Sequence, residues 1–150
     1  MAINEILDTH RCWAIDTAPV IYYIEENPKY VHLVDQIFLR LNRVQAFSSI
    51  LIISEVLPHP LRQGNELLAQ RYRDFLLKSR NFSLHPVDAT IAERAAEIRA
   101  HYQYRTPDAI QLATGVEHNA TLFITNDKRL KNFPGLSILV LDDFLEQTAG

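Results

Sequence analysis

The alternation of short apolar runs with segments of helical periodicity limits the fold of this chain more than any other feature. Five runs have the length and composition of a strand: 12–15, 44–47, 82–87, 121–125 and 136–141. Between the runs, hydrophobic residues recur at intervals of three and four, as in helices with one buried face. Strands that alternate with helices usually pair in parallel through right-handed crossovers. The sequence therefore predicts an α/β fold, a three-layer α/β/α sandwich with a central parallel sheet.

Helix-start signals follow several of the predicted strands. Thr17 is expected to cap a helix directly after the first strand, and Thr106 to cap another before Asp108. The segment 90–93 resembles a capping box. Pro58 is expected to break or bend the helix that precedes it. These signals predict that the helices begin close to the carboxyl ends of the strands.

The composition fits a single domain over residues 1–150. Hydrophobic residues make up 47% of the chain, which is enough for one substantial core. No apolar stretch approaches the roughly 18 residues of a membrane span, and the first dozen residues lack the apolar run of a signal peptide. The lone Cys12 cannot form an internal disulfide. We therefore expect a cytoplasmic protein with no membrane partner.

Several ligand classes lose support because the residues that they need are scarce. The four glycines complete neither a dinucleotide-binding turn nor a phosphate-binding loop. The six histidines lie at least sixteen positions apart, so no helix presents a zinc-binding histidine pair. The net charge of -3 argues against a wholly basic surface but permits a local basic patch.

Four acidic residues lie where ligand sites form in parallel sheets, beyond the carboxyl ends of the strands. Asp16 and Asp127 directly follow predicted strands, Asp108 opens a helix, and Glu55 lies in the helix after the second strand. Each belongs to a different strand–helix unit, so all four can face one crevice. Crowded carboxylates repel one another unless cations neutralise them. Oxygen ligands favour Mg²⁺ or Mn²⁺, and phosphodiester hydrolysis is a natural reaction for such a site.

Each acid also has a purely structural explanation. Asp is common at strand ends and helix caps, and an Asp in a first helical turn already interacts well with the helix dipole. Glu55 differs because its neighbours in 50–57 are mostly apolar. A carboxylate in such a helix needs a partner or a metal, unless it occupies a narrow solvated side.

Four short motifs carry a resemblance to a known family: Ile15-Asp16-Thr17, Ser54-Glu55-Val56, Thr106-Pro107-Asp108-Ala109-Ile110 and Thr125-Asn126-Asp127. In order, spacing and placement they resemble the acidic motifs of PIN-domain ribonucleases, especially VapC-type toxins of type II toxin–antitoxin systems. The resemblance covers nearly the whole chain. It implies a PIN-like α/β/α fold and Mg²⁺- or Mn²⁺-dependent endoribonuclease activity on RNA. It also implies frequent homodimerisation and inhibition by a cognate antitoxin protein.

The resemblance also implies roles for individual residues. Asp16, Glu55, Asp108 and Asp127 would form the catalytic metal site, although Asp127 is the acid most easily placed outside direct contact with the metal. Three residues would orient water or phosphate: Thr17, Thr125 and Asn126. Three basic residues beside the motifs would contact the RNA backbone: Arg105, Lys128 and Arg129. The sequence Pro58-His59-Pro60 departs from the usual continuation after the glutamate, so at Glu55 the chain differs from the family pattern.

Three alternatives remain beside this interpretation. A haloacid-dehalogenase-like phosphatase would need a second Asp two residues after Asp16, where this chain has Ala18. A catalytically inactive PIN-like module could bind RNA or protein through the same fold. A housekeeping RNA-processing PIN nuclease would share the acidic site, and a small adjacent antitoxin gene would distinguish it from a toxin.

Overall fold

A five-stranded parallel sheet runs through the computed structural model, which describes residues 1–145. Its strands are β1 Cys12–Ile15, β2 Gln45–Ser49, β3 Ser83–His85, β4 Leu122–Thr125 and β5 Ser137–Val140. They lie in the order β3-β2-β1-β4-β5, and every neighbouring pair is parallel. The parallel sheet predicted from the alternation of strands and helices is therefore confirmed.

Helices connect the strands on both faces of the sheet. The α-helices are α1 Ile3–Thr9, α2 Thr17–Ile24, α3 Val31–Phe38, α4 Ile52–Val56, α5 Pro58–Arg62, α6 Glu66–Lys78, α7 Ala89–His101 and α8 Thr106–Glu117. Short 3₁₀ turns cover Leu41–Arg43, Lys128–Asn132 and Leu141–Phe144. Among the helices of residues 1–145, none is long and apolar enough to cross a membrane.

The strands divide their side chains between two hydrophobic cores. Trp13 and Ile15 of β1 point into a core shared with α1, α2, α3, α4 and α6. Ala14, between them, points into the opposite core, where it meets residues of α7 and α8. Successive residues of a strand face opposite sides of a sheet, so one short strand serves both cores. This arrangement is the expected three-layer α/β/α sandwich.

Gly115 allows α8 to lie close to β1. A Cβ atom at this position would stand 3.1 Å from Leu136 Cδ1 and 3.2 Å from Ala14 Cβ, tighter than ordinary contact. The small residues at 14 and 115 therefore set the distance between helix and sheet. The same helix carries Asp108 in its first turn, at the carboxyl end of the strands.

The residues that cap the starts of two helices lie one or two positions before the predicted ones. Asp16, rather than Thr17, caps α2 by accepting a hydrogen bond from the Thr17 N–H. Asp88 caps α7 in place of Thr90 through a 2.9 Å bond from the Ile91 N–H. In both cases a carboxylate slightly upstream in the sequence satisfies a free N–H of the first turn.

Of two further helix predictions, one was wrong and one is confirmed. Thr106 lies inside the first turn of α8, and the N-cap is Arg105, whose side chain forms no capping bond. The break predicted at Pro58 is confirmed, because α4 ends at Val56 and a separate helix, α5, begins at Pro58. A proline needs no N–H donor at the first position of a helix, so it can open a new one.

Candidate active site

A crevice of about 430 Å³ opens at the carboxyl ends of β1 and β4. Nine of the ten residues predicted for the site line it: Asp16, Thr17, Glu55, Arg105, Asp108, Thr125, Asn126, Asp127 and Lys128. The tenth, Arg129, forms ion pairs with two of these acids, Asp108 and Asp127. The topology brings together residues that are up to 112 positions apart in the sequence, from Asp16 to Lys128.

Asp16 is the most constrained acid of the crevice. It follows β1 directly, is only 8% exposed, and its backbone N–H donates to the Ile124 carbonyl at 2.8 Å. Its Oδ1 accepts a 2.8 Å hydrogen bond from the Thr17 N–H, and its Oδ2 accepts a 2.7 Å bond from the Thr125 hydroxyl. Both oxygens are therefore held in fixed positions.

The electrostatic environment of Asp16 disfavours its charge. Burial, the largest influence, raises the pKa of this carboxyl, while the hydrogen bonds from Thr125 and Thr17 partly oppose the increase. The negative charges of Asp108 and Asp127 also raise the pKa, and all these influences together give a pKa of about 6. The mutual repulsion expected from the sequence is thus present at Asp16, and a bound cation would relieve it.

Asp108 and Asp127 are instead neutralised by arginine. Asp108 is 8% exposed, with Arg105 Nε at 3.3 Å and an Arg129 terminal nitrogen at 3.5 Å from its Oδ2. Arg129 Nε also lies 3.0 Å from Asp127 Oδ1 and 3.2 Å from Oδ2. The hydrogen bonds from Arg129 hold the pKa of Asp127 below its usual value. One guanidinium therefore bridges two of the four predicted acids.

Glu55 lies on the solvent side of α4. The neighbouring Ile52 and Val56 are buried in the core, whereas Glu55 is exposed and forms no hydrogen bond or ion pair within residues 1–145. Of the outcomes that the sequence left open for this carboxylate, the structure has the solvated one, because Glu55 lies on the narrow solvated side of the helix. Glu55 nevertheless lines the crevice.

The side chains supply the right ligands for a hard divalent cation but do not surround one as they stand. The four carboxylates are oxygen donors of the kind that Mg²⁺ and Mn²⁺ prefer. Within residues 1–145, no three acidic, His or Cys side chains converge closely enough to hold a metal ion. Arg129 contributes a positive charge between Asp108 and Asp127. The donor set therefore fits a divalent cation, with Arg129 as its competitor.

Thr125 and Asn126 are engaged in holding the crevice together. The Thr125 hydroxyl, which donates to Asp16, accepts a 3.0 Å hydrogen bond from the Asp127 N–H. Asn126 donates to the Tyr22 hydroxyl at 3.1 Å and accepts from the Asp142 N–H at 2.9 Å. By contrast, no hydrogen bond of the Thr17 hydroxyl occurs within residues 1–145, so this group can contact a ligand.

Gln111 is a polar residue of the crevice that the sequence interpretation missed. It is 3% exposed, and its Oε1 accepts a 3.1 Å hydrogen bond from the Ser49 N–H. Its Nε2 is buried without a partner in the described part of the chain, although it belongs to a residue that lines the crevice. A usable signal existed, since Gln111 stands three positions after Asp108 on one helix face among apolar neighbours.

The predicted RNA-contacting residues differ in their availability. Arg129 is engaged with Asp127 and Asp108, and Arg105 with Asp108. Lys128 is exposed, lines the crevice, and has no ion pair within the described residues. It is therefore the cation most accessible to an anionic ligand.

Comparisons with known proteins agree with this geometry. Residues 14–136 match the PIN domain family. This match spans most of the chain and all four acids, so the chain belongs to the PIN domain family. A search of curated proteins by sequence found no match.

Solved structures show the same fold. A chain of a toxin–antitoxin complex from Klebsiella pneumoniae is 25% identical with a TM-score of 0.67, over 87% of this chain and 97% of that one. A chain of VapBC2 from Rickettsia felis, bound to a promoter DNA fragment, is 16% identical with a TM-score of 0.70, over 86% and 98%. A chain of DNA-bound VapBC from Salmonella typhimurium is 17% identical with a TM-score of 0.70, over 87% and 98%.

Proposed function

We propose that this protein is a Mg²⁺- or Mn²⁺-dependent endoribonuclease and the toxin of a toxin–antitoxin pair. The observation that carries the proposal is the convergence of Asp16, Glu55, Asp108 and Asp127 on one crevice, where the pKa of Asp16 is raised to about 6. Membership of the PIN domain family and likeness to chains of toxin–antitoxin complexes support it. We also propose that residues 1–150 act as a single domain.

The four acids would hold the cation between them. When bound, Mg²⁺ or Mn²⁺ supplies the Lewis acidity that phosphodiester hydrolysis needs. Thr125 and the Thr17 N–H fix the orientation of Asp16 through the hydrogen bonds to its two oxygens. Preorganisation of this kind reduces the rearrangement needed when charge develops during the reaction.

Donors around the acids would position the RNA backbone. Lys128 supplies an accessible positive charge, and the buried Nε2 of Gln111, which has no partner within residues 1–145, would donate to a phosphate oxygen that enters the crevice. The Thr17 hydroxyl is a further available group beside Asp16. Arg105 and Arg129 would become available to phosphate once a cation replaces them as partners of Asp108 and Asp127.

A ribonuclease assay tests the activity directly. Wild type, Asp16→Asn and the control Asp35→Asn, an exposed acid on α3, are incubated with labelled RNA in Mg²⁺, Mn²⁺ or EDTA. We expect cleavage by wild type and Asp35→Asn with either metal, none in EDTA, and a loss of about a hundredfold or more in Asp16→Asn. Unchanged cleavage by Asp16→Asn would refute the assignment of this site.

A growth assay separates the toxin from the housekeeping alternative. Induction of the wild-type chain should arrest growth, induction of Asp16→Asn should not, and co-expression of a small adjacent gene should restore growth to the wild-type strain. A housekeeping nuclease would show no such relief. We also propose that the protein forms a homodimer, as the family resemblance implies. Sedimentation tests this, since a dimer has twice the 17.3 kDa mass of the chain.

A further inference from the structure

A second cavity, of about 420 Å³, lies at the β3 edge of the sheet. Its polar lining comes from the start of β2, both ends of β3, the residues before β3 and the residue that follows α8: Gln45, Arg80, Asn81, Ser83, His85 and His118. None of these residues lines the acidic crevice. The volume is within the range of small-molecule sites.

Two stacked histidine rings line this cavity. His85 and His118 are stacked with their ring centroids 3.6 Å apart and an interplanar angle of 8°. The buried Phe47 ring meets both of them edge-on, with centroid distances of 4.8 Å to His85 and 5.9 Å to His118. The lone pairs of an imidazole lie in its ring plane, so parallel stacked rings do not aim at one metal ion. The geometry therefore disfavours a transition-metal site.

The other polar side chains of the cavity have no hydrogen-bonding partner within residues 1–145. The exposed side chains of Gln45, Arg80, Asn81 and Ser83 form no hydrogen bond or ion pair within residues 1–145. The imidazole rings of His85 and His118 also form no hydrogen bond or ion pair within residues 1–145, and they stack on each other. The permanent charge of Arg80 and several N–H donors thus face the cavity, and no carboxylate of the described residues lines it.

We propose that this cavity binds a phosphomonoester of about nucleotide size. A guanidinium pairs well with a phosphate, and amide, hydroxyl and imidazole donors complete the set. Burial and the neighbouring His118 lower the pKa of His85, and a bound phosphate would offset both effects. The volume exceeds that of a bare phosphate and leaves room for an attached organic group. The proposal does not depend on the ribonuclease activity.

Histidine NMR provides the test. The full chain in EDTA is titrated with 5′-AMP, inorganic phosphate and, as a nonspecific anion, chloride at the same ionic strength. His85→Gln and His118→Gln identify the two resonances, and exposed His32 serves as an internal reference. We expect saturable shifts at His85 and His118 with 5′-AMP and none with chloride. Absence of a saturable shift at both rings, or an equal response to chloride, would overturn the proposal.

Variants connect the shifts to the cavity. Arg80→Gln should weaken 5′-AMP binding by at least about tenfold, the effect of losing a charge-assisted hydrogen bond. The matched control Arg62→Gln, at an exposed arginine without an ion pair in residues 1–145, should bind as wild type does. Asp16→Asn should also leave binding unchanged, which separates this cavity from the acidic crevice. Equal weakening by Arg80→Gln and Arg62→Gln would contradict the assignment.

A last comparison identifies the source of the phosphate. Short DNA strands with and without a 5′-phosphate are titrated beside 5′-AMP. If the protein binds 5′-AMP and has the same affinity for both strands, the natural ligand is a small free molecule. Binding only of the phosphorylated strand indicates the end of a polynucleotide, and both results support recognition of a phosphomonoester. Equal binding of the two strands without any response to 5′-AMP would refute it.

Discussion

The Thr125 hydroxyl links two acids of the crevice, because it donates to Asp16 Oδ2 at 2.7 Å and accepts from the Asp127 N–H at 3.0 Å. The two acids joined in this way have opposite electrostatic environments. Burial raises the pKa of Asp16, whereas hydrogen bonds from Arg129 lower the pKa of Asp127. Without metal, the two residues should therefore affect stability with opposite dependence on pH.

Asp16→Asn should stabilise the metal-free protein above pH 6. The pKa of Asp16 is about 6 in the folded state against 3.8 for the unfolded chain, so the folded state binds the proton more tightly. Stability from this group is complete below pH 3.8 and is lost as pH rises through about 6. A neutral Asn at this position does not ionise, so the variant keeps this part of the free energy of unfolding, which amounts to at most about 3 kcal/mol.

Urea unfolding in EDTA at pH 4 and pH 8 measures this difference. The advantage of Asp16→Asn over wild type should be clear at pH 8 and should shrink at pH 4. The exposed variant Asp35→Asn should show no such pH-dependent advantage. A destabilised Asp16→Asn at pH 8 would mean that the hydrogen bonds to the carboxylate outweigh its desolvation.

Asp127→Asn should have the opposite effect. The pKa of Asp127 is lowered by Arg129, so its contribution to stability is present above the unfolded value of 3.8 and is lost as pH falls through the folded pKa. Asp127 is 24% exposed and Arg129 58% exposed, so solvent screening limits the loss at pH 7 to about 1 kcal/mol or less. Urea unfolding of wild type and Asp127→Asn at low and high salt measures this loss of stability. A loss of the same size at both salt concentrations would contradict an ion-pair origin.

The positions of the acids were predictable, but their pairing was not. Asp16 and Asp127 follow strands that the apolar runs already indicate, and parallel strands end at a common edge. Their local partners depend on tertiary contacts that no short motif contains. Arg129 reaches Asp108 across 21 positions, and the hydroxyl of Thr125 reaches Asp16 across 109.

Helix α4 illustrates a second limit. The apolar run 50–57 left open whether Glu55 needs a partner or a metal or lies on a solvated side, and the helix in that run is only five residues long. Ile52 and Val56 are separated by four positions and share the buried face, whereas Glu55 lies to one side of it. The position of Glu55 relative to the buried face of the helix therefore decided the exposure of its carboxylate, and the apolar composition alone did not reveal it.

Arg129→Gln should tighten Mn²⁺ binding to the crevice. The guanidinium now neutralises Asp127 and Asp108, so a metal must compete with it for their oxygens. Because solvent screens this exposed ion pair, its removal should tighten Mn²⁺ binding by about fivefold or less. Electron paramagnetic resonance of free Mn²⁺ measures the affinity without any need for activity.

Arg62→Gln is the matched control for the Mn²⁺ experiment, because it also removes one positive charge from an exposed site. Its affinity for Mn²⁺ should stay within about twofold of wild type, since charges in high dielectric interact weakly over distance. Weaker binding by Arg129→Gln would show that this arginine organises the acids for the metal and does not compete with it.

Glu55→Gln should impair RNA cleavage without changing stability. The carboxylate has no partner within residues 1–145, so its replacement breaks no hydrogen bond of the folded chain. It faces the crevice, where loss of a metal-associated carboxylate typically lowers activity by about 10- to 100-fold. Cleavage rates in Mn²⁺ and urea unfolding in EDTA measure the two effects separately. Glu93→Gln, at an exposed position on α7, should change neither of them. Wild-type cleavage by Glu55→Gln would leave Asp16, Asp108 and Asp127 as the acids that bind the cation.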